Sequence, residues 1–153
     1  CVCTPGQIQR YMNKISGPLL DRIDIQCEIS PVPFKDISKA APGEPSARIR
    51  ERVIRAREIQ AERFKDFKGI HCNAQMTERM IHQFAEPTEE GINLLRMAME
   101  KLSLSARAYN RILKVARTIA DLAGSQQVEP QHLAEAIGYR TLDRGDWAER
   151  GHF

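Results

Sequence analysis

The apolar positions follow a helical spacing along most of the chain and a strand spacing once. From Gln7 to Lys14, residues Ile8, Tyr11 and Met12, with Ile15 just beyond, predict a short amphipathic helix that Gly17-Pro18 ends. Ile23, Ile25, Cys27 and Ile29 then alternate with Asp24, Gln26, Glu28 and Ser30, a period of two that predicts a half-buried strand. Pro31, Pro33, Pro42, Gly43 and Pro45 mark the next stretch as a linker. Ser46 is then the expected N-cap of a long helix reaching Phe67, with Ile49, Val53, Ala56, Phe64 and Phe67 on its buried side. Thr77 is expected to cap a shorter helix through Phe84. Thr88, followed by Glu89 and Glu90, opens another that carries Ile92, Leu95, Met99 and Leu102, its acids at the positive end of the helix dipole. Ser105 opens the most regular helix, striped by Tyr109, Ile112, Leu113, Ala116, Ile119, Ala120 and Ala123, and Gly124 sits where a C-terminal cap belongs. Pro130 suits the first turn of a last helix carrying Leu133, Ala136 and Ile137. The expected fold is mainly α, with one strand whose edges lack a partner, and bare strand edges are costly.

Composition narrows the class without naming a chemistry. At 153 residues the chain fits one domain, or one small domain with a piece of another. Its 42% hydrophobic and 28% charged residues are ordinary for a soluble globular protein. No run has the length of a membrane span and no secretory leader opens the chain, so a cytoplasmic location without a membrane partner is expected. A net charge of +3 is too mild to announce nucleic-acid binding by itself. The four cysteines, Cys1, Cys3, Cys27 and Cys72, are too sparse for a disulfide scaffold. His71-Cys72 reads as an isolated structural pair, and His132 as a surface or capping residue.

Two motifs that hold nucleotides are absent: no G-x-x-x-x-G-K-[ST] phosphate loop and no apolar run ending in Asp-Glu. The chain alone is therefore not expected to bind ATP well. Two arginines stand out nonetheless. Arg22 follows Asp21 at the head of the strand, where a salt bridge to Asp21 or Asp24 is the plain reading. Arg107 lies in the first turn of its helix, the wrong end for a cation, and a phosphate would supply the reason. Arg111 follows one turn later on the same face. The helix from Ser46 carries Arg48, Arg50, Arg52, Arg55, Arg57, Arg63 and Lys65 against Glu51, Glu58, Glu62 and Asp66. It reads either as a face tracking a phosphate backbone, with Arg48, Arg52 and Arg55 as contacts, or as a solvated face laced by pairs such as Glu51 to Arg55. The solvated reading is preferred, because no aromatic side chains interleave to stack on bases.

"CTPGQIQRYMNKISGPLLDRIDIQCEI", "LSARAYNRILKVARTIADLAGS" and "HLAEAIGYR" resemble the C-terminal part of the magnesium-chelatase-like AAA+ ATPases, in particular the competence-associated branch (magnesium chelatase-related protein). The resemblance covers nearly the whole chain and is weakest at 34–45 and 66–86. It implies a helical AAA+ lid preceded by the last helix and strand of a truncated α/β core. The divisions would be a core edge at 1–33, a linker at 34–45, the sensor-2 lid at 46–143 and a tail at 144–153. The strand's partners, the phosphate loop and the Asp-Glu motif would then lie before Cys1. It also implies an arginine finger acting in trans on Arg22 and the sensor-2 role on Arg107, with Arg111 as second candidate. The full-length protein would be a homo-oligomeric ring, a hexamer, using ATP and Mg²⁺ to remodel DNA during recombination or natural transformation. The fragment alone would be inactive and without cofactor. A subunit of a true magnesium chelatase and a self-contained helical nucleic-acid-binding module are the alternatives. Cys1 and Cys3 would be half of a four-thiolate zinc site completed by an upstream pair, or else a frayed terminus.

Overall fold

The computed structural model describes residues 2–27, 29, 31–34, 42–102 and 104–140. Seven α-helices are named along them: α1 Pro5–Met12, α2 Gly17–Leu20, α3 Ser46–Phe64, α4 Glu78–Phe84, α5 Glu89–Leu102, α6 Ala106–Ala123 and α7 Pro130–Gly138. A 3₁₀ turn, η1 at Asn73–Gln75, joins the end of α3 to α4.

The start signals act as their chemistry dictates. The Thr77 side chain accepts from the Met80 N–H, Thr88 Oγ1 from the Gly91 N–H at 3.3 Å, and Ser105 Oγ from the Ala108 N–H at 3.2 Å. Gly124 closes α6 at φ 71°, a left-handed conformation that costs glycine least. Pro130 stands in the first turn of α7, and His132 completes a capping box there, its Nδ1 accepting from the Glu129 N–H at 3.1 Å. His132 is thus a capping residue, but a buried one rather than a surface one.

Helix α3 departs from expectation at both ends. Pro45 takes the N-cap position without a side-chain hydrogen bond, its carbonyl accepting from the Arg48 N–H at 3.0 Å, and Ser46 is the first helical residue. The helix stops at Phe64. Phe67 lies in the following turn, yet its ring packs edge-on against Phe64 and Phe84 at centroid distances of 6.4 and 5.7 Å. Ala56, Gln60 and Phe64 are buried, whereas Ile49 and Val53 remain exposed, because α3 meets α6 only along its C-terminal half.

The core gathers on α6. Ile112, Leu113 and Ala116 pack with Leu95 of α5, Leu133 and Ala136 of α7, Met80 and Ile81 of α4, and Phe64 of α3. Tyr109 and Ile119 flank this stripe half-buried, and Ala123 is exposed. Each fully buried Leu or Ile contributes roughly 1.5–3 kcal/mol. A parallel bridge between Pro87 and Val128 ties the head of α5 to the approach of α7.

The alternating segment from Ile23 does not form a strand; among the described residues the Pro87–Val128 bridge is the one β feature. Its burial is the reverse of that expected. Ile23, Ile25 and Ile29 are exposed, and Gln26, on the polar side of the alternation, is buried. The physical reason is the missing sheet: with no neighbouring strand to cover the isoleucines, the segment is anchored by the Gln26 N–H donating to Tyr139 O at 2.9 Å.

Candidate functional site

Arg107, Arg111 and Lys114 fall at i, i+4 and i+7 on α6 and therefore share one face. That face lines a groove of about 670 Å³ whose opposite wall is the segment with Asp24 and Cys27, and whose end is closed by Tyr139 at the close of α7. Ser105 fixes the start of α6, which places Arg107 at its second residue, exposed and without an ion pair among the described residues. Arg111 is half-buried and ion-pairs with Asp24 across the groove. Lys114 donates to Ala74 O at 2.9 Å. Burial lowers the Lys114 pKa from its ordinary value, and the neighbouring Arg111 charge lowers it further; Asp24 opposes both. Three cations thus crowd one wall; of the two acids that also line the groove, Asp24 pairs with Arg111 and Glu135 accepts from the Tyr139 hydroxyl at 3.0 Å.

Arg22 sits in the turn after α2, exposed, with Nη1 donating to Pro18 O at 2.7 Å. Neither acid expected to pair with it does so. Asp21 faces Arg140 at 3.7 Å and Asp24 is taken by Arg111. Arg140, 1% exposed, also donates to Ile23 O at 2.5 Å, so an arginine at the end of α7 clasps the turn that bears Arg22.

The other candidates are not brought to the groove. Arg48, Arg52 and Arg55 are exposed on α3; Arg52 pairs with Glu44 at 2.8 Å, and the Glu51 to Arg55 pair does not form among the described residues. Cys3 is exposed and Cys1 lies outside the described residues. Among the described residues no three of His, Cys, Asp or Glu gather to hold a metal. Two thiolates do not close a tetrahedral zinc site, so Cys1 and Cys3 would need further ligands to form one.

Sequence reasoning missed two features. Lys114 continues the Arg107 and Arg111 face, and the i+7 spacing was the signal for it. The second is a buried knot around Asp121, which accepts from both arms of Arg63 at 2.7 and 2.5 Å, from Asn73 Nδ2 at 2.7 Å and from Arg117 Nε at 3.0 Å. Arg117 spends its other donors on the Ser125 and Gln126 carbonyls. Burial lowers the Arg117 pKa while Asp121 raises it.

Residues 43–140 match the family described as "Magnesium chelatase, subunit ChlI C-terminal", and residues 1–37 match "Magnesium chelatase, subunit ChlI". Competence protein ComM of Haemophilus influenzae is 44% identical over 142 residues, which are 92% of this chain and 27% of that protein. The uncharacterized protein YifB of Escherichia coli is 44% identical over 143 residues, 93% of this chain and 27% of its own length. Rv2897c of Mycobacterium tuberculosis is 34% identical over 140 residues, again 27% of its length. The chain therefore spans about a quarter of the curated relatives it matches. No helix among the described residues is long and apolar enough to cross a membrane. The mainly α architecture is that of the helical C-terminal lid of a magnesium chelatase-like AAA+ protein, and the chain belongs to the magnesium chelatase ChlI family.

Proposed function

We propose that this chain is the phosphate-reading lid and finger segment of a ring-forming AAA+ ATPase. The observation that carries the reading is the row of Arg107, Arg111 and Lys114 along one wall of the groove. Guanidinium stays charged and presents a planar fork matched to phosphate oxygens, so Arg107 and Arg111 would grip the nucleotide's terminal phosphates while Lys114 adds a point charge. Those charges oppose the negative charge that builds on the transferred group, and they act without reorganising. ATP and Mg²⁺ would be held chiefly by the phosphate loop and Asp-Glu motif, which this sequence does not contain.

Arg22 is assigned as the finger that serves the next subunit's nucleotide, and its lack of a carboxylate partner among the described residues supports that role. A finger in trans requires a ring, and a homo-hexamer is the proposed assembly. The proposed units remain 1–33, 34–45, 46–143 and 144–153. The printed name of the Haemophilus relative, a competence protein, favours DNA as the remodelled partner in natural transformation or recombination over metal insertion into a porphyrin. Arg48, Arg52 and Arg55, exposed on α3, are the proposed DNA contacts on this chain, and Cys1 with Cys3 the proposed half of a zinc site.

The test is Arg107→Ala in the full-length protein. Arg107 is exposed, so the melting temperature should stay unchanged while ATP hydrolysis falls at least tenfold, on the order of one lost charge-assisted phosphate contact. Arg107→Lys keeps the charge, loses the fork and should restore little. Unchanged turnover in Arg107→Ala would overturn the assignment.

A further inference from the structure

The groove's charges are not all of one sign, and of its two acids, Asp24 and Glu135, the one paired with a groove cation lies close to Arg22. Asp24 is the acid that faces Arg111, and it stands two residues after the proposed finger in a turn with no helix or strand of its own. Four contacts among the described residues hold that turn to α6 and α7. Arg111 pairs with Asp24, Arg140 pairs with Asp21 and donates to Ile23 O, and the Gln26 N–H donates to Tyr139 O. Three of these four come from the end of α7. The fourth comes from an arginine that also lines the groove.

We infer that Asp24 is a resident counter-ion that occupies Arg111 until a nucleotide phosphate takes it, and that this exchange loosens the turn carrying Arg22. The inference rests on the reading of Arg111 as a phosphate-contacting residue. The fork that fits a carboxylate fits a phosphate, so the two anions compete for one guanidinium. The Asp24 side chain is 52% exposed and that of Arg111 29%, and an ion pair so open to water is weak and readily exchanged. A triphosphate, with its greater charge, wins the exchange. Once it has done so, the Asp24 carboxylate faces an anion of like charge and moves away from the groove wall. The turn then keeps its anchors on α7, and Arg22 pivots about them. Nucleotide bound by one subunit thereby changes how that subunit presents Arg22 to the next, which couples neighbouring sites. Asp24 acts here as a positioning residue: it works through Arg111 and Arg22 and touches no reacting atom.

The experiment is steady-state ATP hydrolysis by the full-length ring as a function of ATP concentration, for wild type, Asp24→Asn, Asp24→Glu and Arg111→Ala. Removing the competing anion should lower KM for ATP by about threefold to tenfold, the range of modest coupling between sites, and bring the Hill coefficient to one. Asp24→Glu should restore both. A purely structural Asp24 predicts a lower melting temperature with KM and Hill coefficient unmoved. In wild type, a non-hydrolysable ATP analogue should speed hydrogen exchange of the Arg22 amide, which donates to Leu19 O in the turn that pivots, and this needs no variant. Unchanged KM and Hill coefficient in Asp24→Asn, or unchanged exchange of the Arg22 amide, would overturn the inference. If Arg111→Ala still abolishes turnover in that event, the phosphate-reading role stands and only the counter-ion fails. If Arg111→Ala is fully active, both fall together.

Discussion

Asp121 shows how much a single buried side chain can hold. Its carboxylate is fully buried and receives Arg63 from α3, Arg117 from its own helix and Asn73 from η1. The knot fixes where α3 crosses α6, and hence the wall of the molecule behind the groove. Removing a partner from a buried pair leaves an uncompensated charge, so Asp121→Ala should destabilise the chain by about 3–5 kcal/mol. Urea denaturation followed by circular dichroism checks this, and a loss under 1 kcal/mol would mean that water reaches the two arginines. The sequence allowed Arg117 and Asp121 to be seen only as an i, i+4 pair, which elsewhere is a solvated surface feature. Arg63 is 58 residues from Asp121 and Asn73 is 48 away, so nothing local announced that four polar side chains converge. Arg107 and Arg111 were legible because a helical face needs only periodicity.

Between elements, α5 comes close to α7 at Gly91. A methyl group there would stand 2.7 Å from Leu133 Cδ1 and 3.1 Å from Pro87 Cβ. Leu133 is 0% exposed, so turning its methyl aside would disturb the core packed around it, and the proline ring is rigid. Gly91→Ala should therefore lose about 1–3 kcal/mol to overpacking, more than the roughly 1 kcal/mol that alanine gains over glycine in a helix. A drop in the urea midpoint with an unchanged slope is the expected result; a rise would show that α7 can shift outward freely. Helices with a packed face were legible to within a few residues, since capping chemistry and apolar period agreed at Thr77, Thr88, Ser105, Gly124 and Pro130. Two elements were misread, and both depend on what lies beside them. Ile49 and Val53 have the spacing of a buried face, but α3 runs past the helix that would cover them. Ile23, Ile25 and Ile29 have the spacing of a strand, but a strand is a property of a pair and no described segment lies alongside.

For the whole molecule, the turn bearing Arg22 is where the proposed ring interface and the lid meet, and a mixing experiment separates a finger from a local structural role. If Arg22 acts on a phosphate held by the next subunit, Arg22→Ala should leave ATP affinity of the full-length protein near normal. Turnover should drop by roughly 10³- to 10⁵-fold, as for fingers supplied in trans to GTPases. The fold should be unaffected, because Arg22 is exposed and its side chain's one hydrogen bond among the described residues is to the Pro18 carbonyl. A subunit lacking Arg22 still offers its own nucleotide site, and a partner lacking its phosphate-loop lysine still offers Arg22. Mixed rings of these two inactive variants contain interfaces where an intact site faces an intact finger, so they should recover part of the hydrolysis in proportion to those interfaces. A residue that merely braces its own turn predicts a lower melting temperature in each mutant subunit and no recovery. Assembly is followed in parallel by sedimentation, since a variant that leaves the ring would be inactive for another reason. Mixed rings that assemble and remain inactive would remove Arg22 from the neighbouring site, and the clasp of Arg140 and Arg111 on its turn would then serve only to dock residues 21–26 on the helical unit.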